Sequence, residues 1–396
     1  MTKLVDRIKT LATKHYETIW QHRCHIHAHP ELSFEEKETA RYIATALEQL
    51  GVSHIEGLGG GTGLTAEIGK GSKTIGLRAD IDALPITEQS DKEYKSKNDG
   101  VMHACGHDVH TSSLLGVAAI LKDLEGELDC KYRLIFQPGE EKLPGGASLM
   151  IKDNVLEDLD AIIGQHVDPG LQVGNIGMVA GSAMASCDEL YISIHGKGGH
   201  AAMPHQVIDP ILISADVIQA LQSVISRYAK PNTPSVLSIG KINSDGGATN
   251  VIPQKVLMEG TFRTYDEAWR KRAHEHIRTI VNSTCEAHRG SAEVNIVRGY
   301  PSLYNDPSLT SQVRQSAGSY VGEAMNITIE PRMTAEDFSY YSHEIPACFY
   351  RLGTASEDGA NSSPVHTPTF DIDPRSLEIG SGFMTYAALM LSRQIS

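Results

Sequence analysis

The sequence predicts an α/β fold: a mostly parallel sheet covered by helices, interrupted by an inserted ferredoxin-like α+β domain. Three observations carry this reading. Strand and helix patterns alternate through the first third of the chain. The middle then switches to the order β-α-β-β-α-β, the split pattern of a ferredoxin-like domain. At 396 residues the chain is also long enough for two hydrophobic cores rather than one.

Taken in order, Leu4, Ile8, Leu11, Ala12, Tyr16, Ile19 and Trp20 fall on one face of a helix. Ser33-Phe34-Glu35-Glu36 has the spacing of a capping box and opens a second helix through Ile43, Leu47 and Leu50, which Gly51 stops. Strands are expected at 64–68, 74–79 and 132–136, with a helix over about 109–124 that carries Leu114, Leu115, Val117, Ala118 and Leu121. Strands alternating with helices at this spacing bury both faces of a parallel sheet. In the middle, strands at 190–195, 235–242, 255–264 and 292–297 interleave with helices at 207–228 and 266–288. The predicted organisation is one domain of residues 1–185 and 299–396, closed by a long helix after Pro374, with an insert at about 186–298.

Composition narrows the partners. Lys+Arg 35 against Asp+Glu 49 gives a net charge of -14, which opposes general nucleic-acid binding and suits metal uptake. An anionic substrate would need a local cluster of positive groups. Cys24, Cys105, Cys130, Cys187, Cys285 and Cys348 are scattered without framework spacing, and the opening Met-Thr-Lys-Leu-Val-Asp lacks a secretory apolar core. A cytoplasmic protein is expected. The longest apolar stretch, Leu114 to Leu121, is too short to span a bilayer.

The chemistry concentrates in Met102-His103-Ala104-Cys105-Gly106-His107-Asp108-Val109-His110. Cys105 and His107 stand two apart at a glycine, where a thiolate and an imidazole present lone pairs to one small volume, as a divalent metal requires. Downstream, the apolar run Tyr132 to Phe136 passes through Gln137-Pro138-Gly139 into Glu140-Glu141. Adjacent carboxylates after a strand repel one another and rarely serve stability, whereas one can bind metal while the other handles a proton. His166 follows the apolar run Ala161 to Gln165, and His366 lies in Ser363-Pro364-Val365-His366-Thr367-Pro368. Ligands collect at the carboxyl ends of strands in α/β proteins. Cys105, His107, Glu141, His166 and His366 make five ligands, too many for one zinc and suited to two metals sharing a bridge.

On these residues, and on His27-Ala28-His29-Pro30-Glu31-Leu32, Arg78-Ala79-Asp80-Ile81-Asp82-Ala83-Leu84-Pro85, Gly198-Gly199-His200-Ala201-Ala202, Asn250-Val251-Ile252-Pro253, Gly260-Thr261-Phe262-Arg263 and Glu336-Asp337-Phe338, the chain resembles a known family. It is that of the metallo-amidohydrolases and metallopeptidases which include hippurate hydrolase, N-acyl-amino-acid deacylases, aminobenzoyl-glutamate hydrolase and the plant auxin-conjugate hydrolases. The motifs cover nearly the whole chain in the family's order, and their ordered set is specific where each alone is weak.

The resemblance implies Cys105 as the bridge between two divalent ions (zinc, manganese, cobalt or nickel), with His107, Glu141, His166 and His366 completing the ligands and Glu140 as general base. It implies that His200 stabilises the oxyanion from a partner subunit, hence a homodimer joined through the insert, and that Asn250 and Arg263 hold the substrate. Metal-bound imidazoles need their second nitrogen hydrogen-bonded, so Asp82, Asp80 and Asp108 are candidate orienting carboxylates, Asp82 first among them by its place in Asp-x-x-Pro. Related peptidases carry a His-x-Asp motif where this chain has Asp80-Ile81-Asp82, which tilts the expectation from peptides to N-acyl amino acids. A second departure is Gly139, where the deacylases usually have alanine, with no expected loss of chemistry.

The expected reaction is metal-dependent hydrolysis of an N-acyl amino acid to a carboxylic acid and a free amino acid. The rivals are a metal-dependent dipeptidase or carboxypeptidase, a cysteine-nucleophile enzyme using Cys105, and a non-catalytic metal-binding protein. His25, His27 and His29 look like a metal cluster but read better as a structural corner before Pro30. Gly145-Gly146-Ala147 is a tight turn with a weak signal for an anion at a helix start.

Overall fold

The computed structural model describes residues 2–359 and 361–394. It separates into two compact units: residues 1–183, 304–330 and 336–396 form the first, and residues 184–303 with 331–335 form the second.

The first unit is built on an eight-stranded sheet. From edge to edge it runs His54–Leu58, Gly63–Gly69, Lys131–Gln137, Thr74–Asp80, Ala161–Gln172, Ala347–Ala355, Ile176–Met178 and Asn326–Thr328. The central strands pair in parallel, Lys131–Gln137 with Thr74–Asp80, Thr74–Asp80 with Ala161–Gln172, and Ala161–Gln172 with Ala347–Ala355. The two strands at the first edge join antiparallel. Every residue of Thr74–Asp80 and of Ala347–Ala355 is buried, as a strand covered on both faces requires. Helices Thr2–Ala28, His107–Asp123 and Arg375–Gln394 pack together over the sheet.

Two local expectations are corrected here. Ser33 does not cap the second helix, which begins only at Lys37 without a side-chain cap from Glu36. Phe34 turns the chain at φ +67, and Glu31 takes the capping role, accepting from the backbone N–H of Glu38 at 3.2 Å and of Thr39 at 2.8 Å. A carboxylate there also complements the positive helix end. The strand holding His166 does not stop there but continues to Gln172, because Val167 and Asp168 still pair with Leu352 and Gly353.

The second unit has a four-stranded antiparallel sheet in the order Ser235–Ser244, Lys255–Thr264, Asp188–His195, Ser291–Arg298, with helices Pro210–Ser223 and Glu267–Ala287. That order is the ferredoxin-like one. One core joins Leu190, Ile192 and Ile194 of the sheet to Val217 and Leu221 of the first helix and Ile277 and Val281 of the second. Asp209 and Asp266 cap these helices through Ile211 N–H at 2.9 Å and Trp269 N–H at 2.8 Å.

Candidate metal centre

In the first unit the sheet brings five residues from four segments, Cys105 with His107, Glu141, His166 and His366, to one small volume. Cys105 precedes the helix His107–Asp123, separated from it by Gly106 at φ +83. A Cβ at residue 106 would sit 2.5 Å from Val167 Cγ2, so glycine alone lets the loop press against the strand of His166. Glu140 and Glu141 follow the strand Lys131–Gln137, while His366 arrives on a loop with its own backbone at φ +63. Its N–H is held by Ala104 O at 2.7 Å. A β-carbon-bearing residue in the left-handed region is a costly conformation kept where position matters.

The Cys105 thiol belongs to two groups of clustered ligand atoms, Cys105–His107–His166 and Cys105–Glu141–His366. Its Sγ lies 3.4 Å from His166 Nε2 and 3.3 Å from His366 Nε2, and His366 Nε2 lies 3.1 Å from Glu141 Oε1. His107, Glu140 and Glu141 form a further group. His166 donates Nδ1–H to Val167 O at 2.7 Å, which leaves the Nε2 lone pair facing the thiol. His107 Nε2 is buried without a hydrogen-bond partner, with Asp80 Oδ2 3.6 Å away. A buried, unpartnered imidazole nitrogen among a thiol and carboxylates is what a metal would satisfy, so the residues present fit the group.

The electrostatics agree. Burial and the carboxylates Glu141, Glu140 and Asp80 push the Cys105 thiol well above its usual range. Burial, together with Glu336, Glu141 and Asp337, does the same to Glu140. Burial opposes a charge on His107, but Asp80, Asp82 and Glu141 outweigh it and raise the imidazole to about 10. The pocket is short of positive charge, the condition a divalent cation relieves.

The candidate orienting carboxylates have separate partners. Asp82 Oδ1 meets His107 Nδ1 at 3.2 Å, while its Oδ2 accepts from Ser33 Oγ at 2.6 Å and Glu141 N–H at 3.0 Å. Asp80 takes His110 Nδ1 at 2.5 Å and Arg78 Nη1 at 2.6 Å. His110 Nε2 in turn accepts Val167 N–H at 2.9 Å, which occupies its remaining lone pair. Asp108 faces away toward Arg23 and His27. His27 is therefore bound into this network, whereas His25 stacks on Tyr42 with ring centroids 4.0 Å apart.

Sequence reasoning passed over the frame beneath Glu140. Arg78, fully buried, contacts Asp80, Glu336 and Asp337, and Asp337 also accepts from Gln137 Nε2 and from Ala147 N–H at 2.9 Å. The Gly145-Gly146 helix start is thus filled by the chain's own Asp337 carboxylate, not open to an external anion. The signal was present in Arg78 and Glu336-Asp337, charged residues inside or beside apolar runs. Glu36 likewise braces the turn before Glu140, accepting from the N–H groups of Phe34 at 2.8 Å and Gly139 at 2.9 Å.

His200, Asn250 and Arg263 belong to the second unit. The glycine-rich run before His200 forms a two-residue ladder in which Gly199 and His200 pair with Ile252 and Val251. This brings His200 beside Asn250, whose carbonyl accepts Ala201 N–H at 2.9 Å. His200 Nδ1 accepts Ala202 N–H at 3.1 Å, which places the ring proton on Nε2 of an exposed side chain. Arg263 is half-buried and donates from Nη1 to Met333 O at 3.0 Å.

A mostly parallel α/β sheet gathering a thiol, imidazoles and paired carboxylates defines the class, a metal-dependent hydrolase. Residues 76–390 match the model of Peptidase family M20/M25/M40, and the chain belongs to that family. It is 41% identical over 372 residues to the N-acetyl-L-cysteine deacetylase of Bacillus subtilis, covering 93% of this chain and 87% of the relative. It is 42% identical over 304 residues to the N-acyl-L-amino acid amidohydrolase of Geobacillus stearothermophilus, covering 76% and 80%. Among solved structures, the Bacillus subtilis YXEP protein, described as a dinuclear metal-binding peptidase, is 34% identical with a TM-score of 0.82 over 96% of this chain and 99% of that one. Among the described residues no helix is long and apolar enough to cross a membrane.

Proposed function

We propose that this protein is a two-metal amidohydrolase that cleaves N-acyl amino acids into a carboxylic acid and a free amino acid. The observation that carries the reading is the Cys105 thiol, common to two clusters of ligand atoms, as a bridge between two ions requires. Membership of the family and the deacetylase and amidohydrolase relatives support the substrate class.

When bound, two divalent ions would polarise the scissile carbonyl and lower the pKa of a water shared between them. Cys105, His107, Glu141, His166 and His366 are the ligands in this reading. Glu140 takes the proton of the attacking water and returns it to the departing amine. His200 donates Nε2–H to the developing oxyanion, and Asn250 and Arg263 hold the substrate's carbonyl and carboxylate. The chain acts as a homodimer in which the second copy supplies His200. Ile211, Leu212, Tyr228 and Ile242 leave apolar surface exposed on the second unit, in keeping with association there. Six free cysteines suit a cytoplasmic enzyme.

The test is release of free amine from acetyl-, benzoyl- and succinyl-amino acids and from simple dipeptides by protein reconstituted with zinc, manganese, cobalt or nickel. Turnover of N-acyl amino acids, abolished by chelation and restored by metal, is expected. Turnover confined to dipeptides overturns the deacylase reading in favour of the peptidase one, which the description of the YXEP protein favours.

A further inference from the structure

Arg23 lies in the first helix, fully buried and far in sequence from every candidate ligand. Its guanidinium joins two segments that each carry one. Nε donates to Asp108 Oδ2 at 2.9 Å, and Asp108 directly follows His107. Nη2 donates to Asp371 Oδ1 at 2.8 Å, and Asp371 closes the loop that carries His366. The guanidinium is itself clamped, lying 4.3 Å from the ring of Tyr94 and 5.6 Å from that of Trp20. Tyr94 Oη donates to the other oxygen of Asp371 at 2.9 Å, and Lys92 Nζ stands 3.4 Å from it. The second contact on Asp108 Oδ2 is His27 Nδ1 at 2.7 Å.

The two segments differ in what else holds them. His107 is seated in a helix and braced by Asp82, and His166 is fixed in the sheet with its ring tied to Val167 O. Among the described residues, His366 has a left-handed backbone, its N–H bonds Ala104 O, and its ring meets Cys105 and Glu141 themselves. Its loop is anchored by Phe370 and Ile372, which bury against Met102, Ala104 and Val167, and by Asp371 between them.

We propose that Arg23 is a positioning residue for the metal centre: it spans Asp108 and Asp371 and thereby sets the spacing between His107 and the His366 loop. The inference rests on the two-metal reading above. Because His366 depends most on this span, loosening it empties the metal position shared by Cys105, Glu141 and His366 and leaves that of Cys105, His107 and His166 filled. A planar fork reaching two carboxylates at once is a task lysine performs only in part.

The experiment counts zinc in the purified full-length protein after gel filtration and measures the affinity of each ion by competition with a chromophoric chelator. Asp371→Asn, which keeps the side-chain shape and cuts the loop side of the span, and Arg23→Met should each retain one tight ion and weaken the second at least about ten-fold. Arg23→Lys should fall between these and the wild type. Removing Arg23 strands two buried carboxylates, so Asp371→Asn carries the test if Arg23→Met does not fold. A folded Asp371→Asn protein that binds two ions with unchanged affinities overturns the proposal, as does equal loss of both ions. A wild-type protein that holds fewer than two zinc ions overturns the two-metal reading and this proposal with it.

Discussion

Asp82 joins two ligands of the candidate centre: one oxygen meets His107 Nδ1 at 3.2 Å, and the other accepts the backbone N–H of Glu141 at 3.0 Å. The Ser33 hydroxyl donates to that second oxygen at 2.6 Å, so the carboxylate has a fixed direction before any metal arrives. Burial opposes its charge, but hydrogen bonds from His107, Ser33 and Glu141 hold its carboxyl below the usual carboxylate range. Asp82→Ala should therefore weaken metal affinity about 10- to 100-fold, measured by chelator competition. Ser33→Ala should have a smaller effect in the same direction, and an unchanged affinity in Asp82→Ala would remove the orienting role.

Glu140→Gln keeps the shape of the side chain and removes its capacity to carry the proton. Turnover should fall by about 10²- to 10⁴-fold while metal content stays at the wild-type value. Steady-state rates paired with elemental analysis of the same sample decide the matter. Retained activity in a fully loaded variant would move the base elsewhere.

Gly139 sits at φ +59, and a Cβ there would lie 2.4 Å from two ring carbons of Phe34. Gly139→Ala should cost about 2 kcal/mol of stability, the sum of a left-handed alanine and an overpacked contact. Urea midpoints would read it, and Phe34→Ala in the same chain should recover the part due to the clash.

Asp188 organises the second unit, accepting from Arg270 Nε at 2.9 Å and from Arg270 Nη2 at 2.5 Å, with His274 Nε2 at 2.6 Å. Burial opposes its charge, yet the hydrogen bonds from Arg270 and His274 prevail and depress its pKa. A depressed carboxyl contributes stability that is full above its unfolded pKa, about 4, and is lost as the pH falls through the folded value. The stability difference between wild type and Asp188→Asn, taken from urea unfolding between pH 3 and 7, should be largest near neutrality and shrink below about pH 4. A difference constant across that range would show that charge is not what Asp188 contributes.

Much of this protein is legible in its sequence alone. Periodicity of two and of 3.6 residues marks the strands and helices of the second unit, where each buries one face, and apolar runs mark the central strands of the first, which bury both; the β-α-β-β-α-β order needs only that marking to be recognised. Cys105-Gly106-His107 and Glu140-Glu141 announced themselves because a buried thiol beside an imidazole, or paired carboxylates after an apolar strand, are costly without a cation. Local pattern could not say which oxygen reaches which nitrogen. Ser33 has the spacing of a helix cap but bonds Asp82, Glu31 caps that helix instead, and Gly145-Gly146 opens a helix whose start is taken by Asp337. Arg23 is unremarkable as a letter, and its work, like that of Arg78 and Glu36, depends on partners that are remote along the chain and adjacent only once the sheet has formed. The residue types that can do chemistry are set by composition and spacing, which act over a few positions; their pairing and orientation are set by packing, which acts through space.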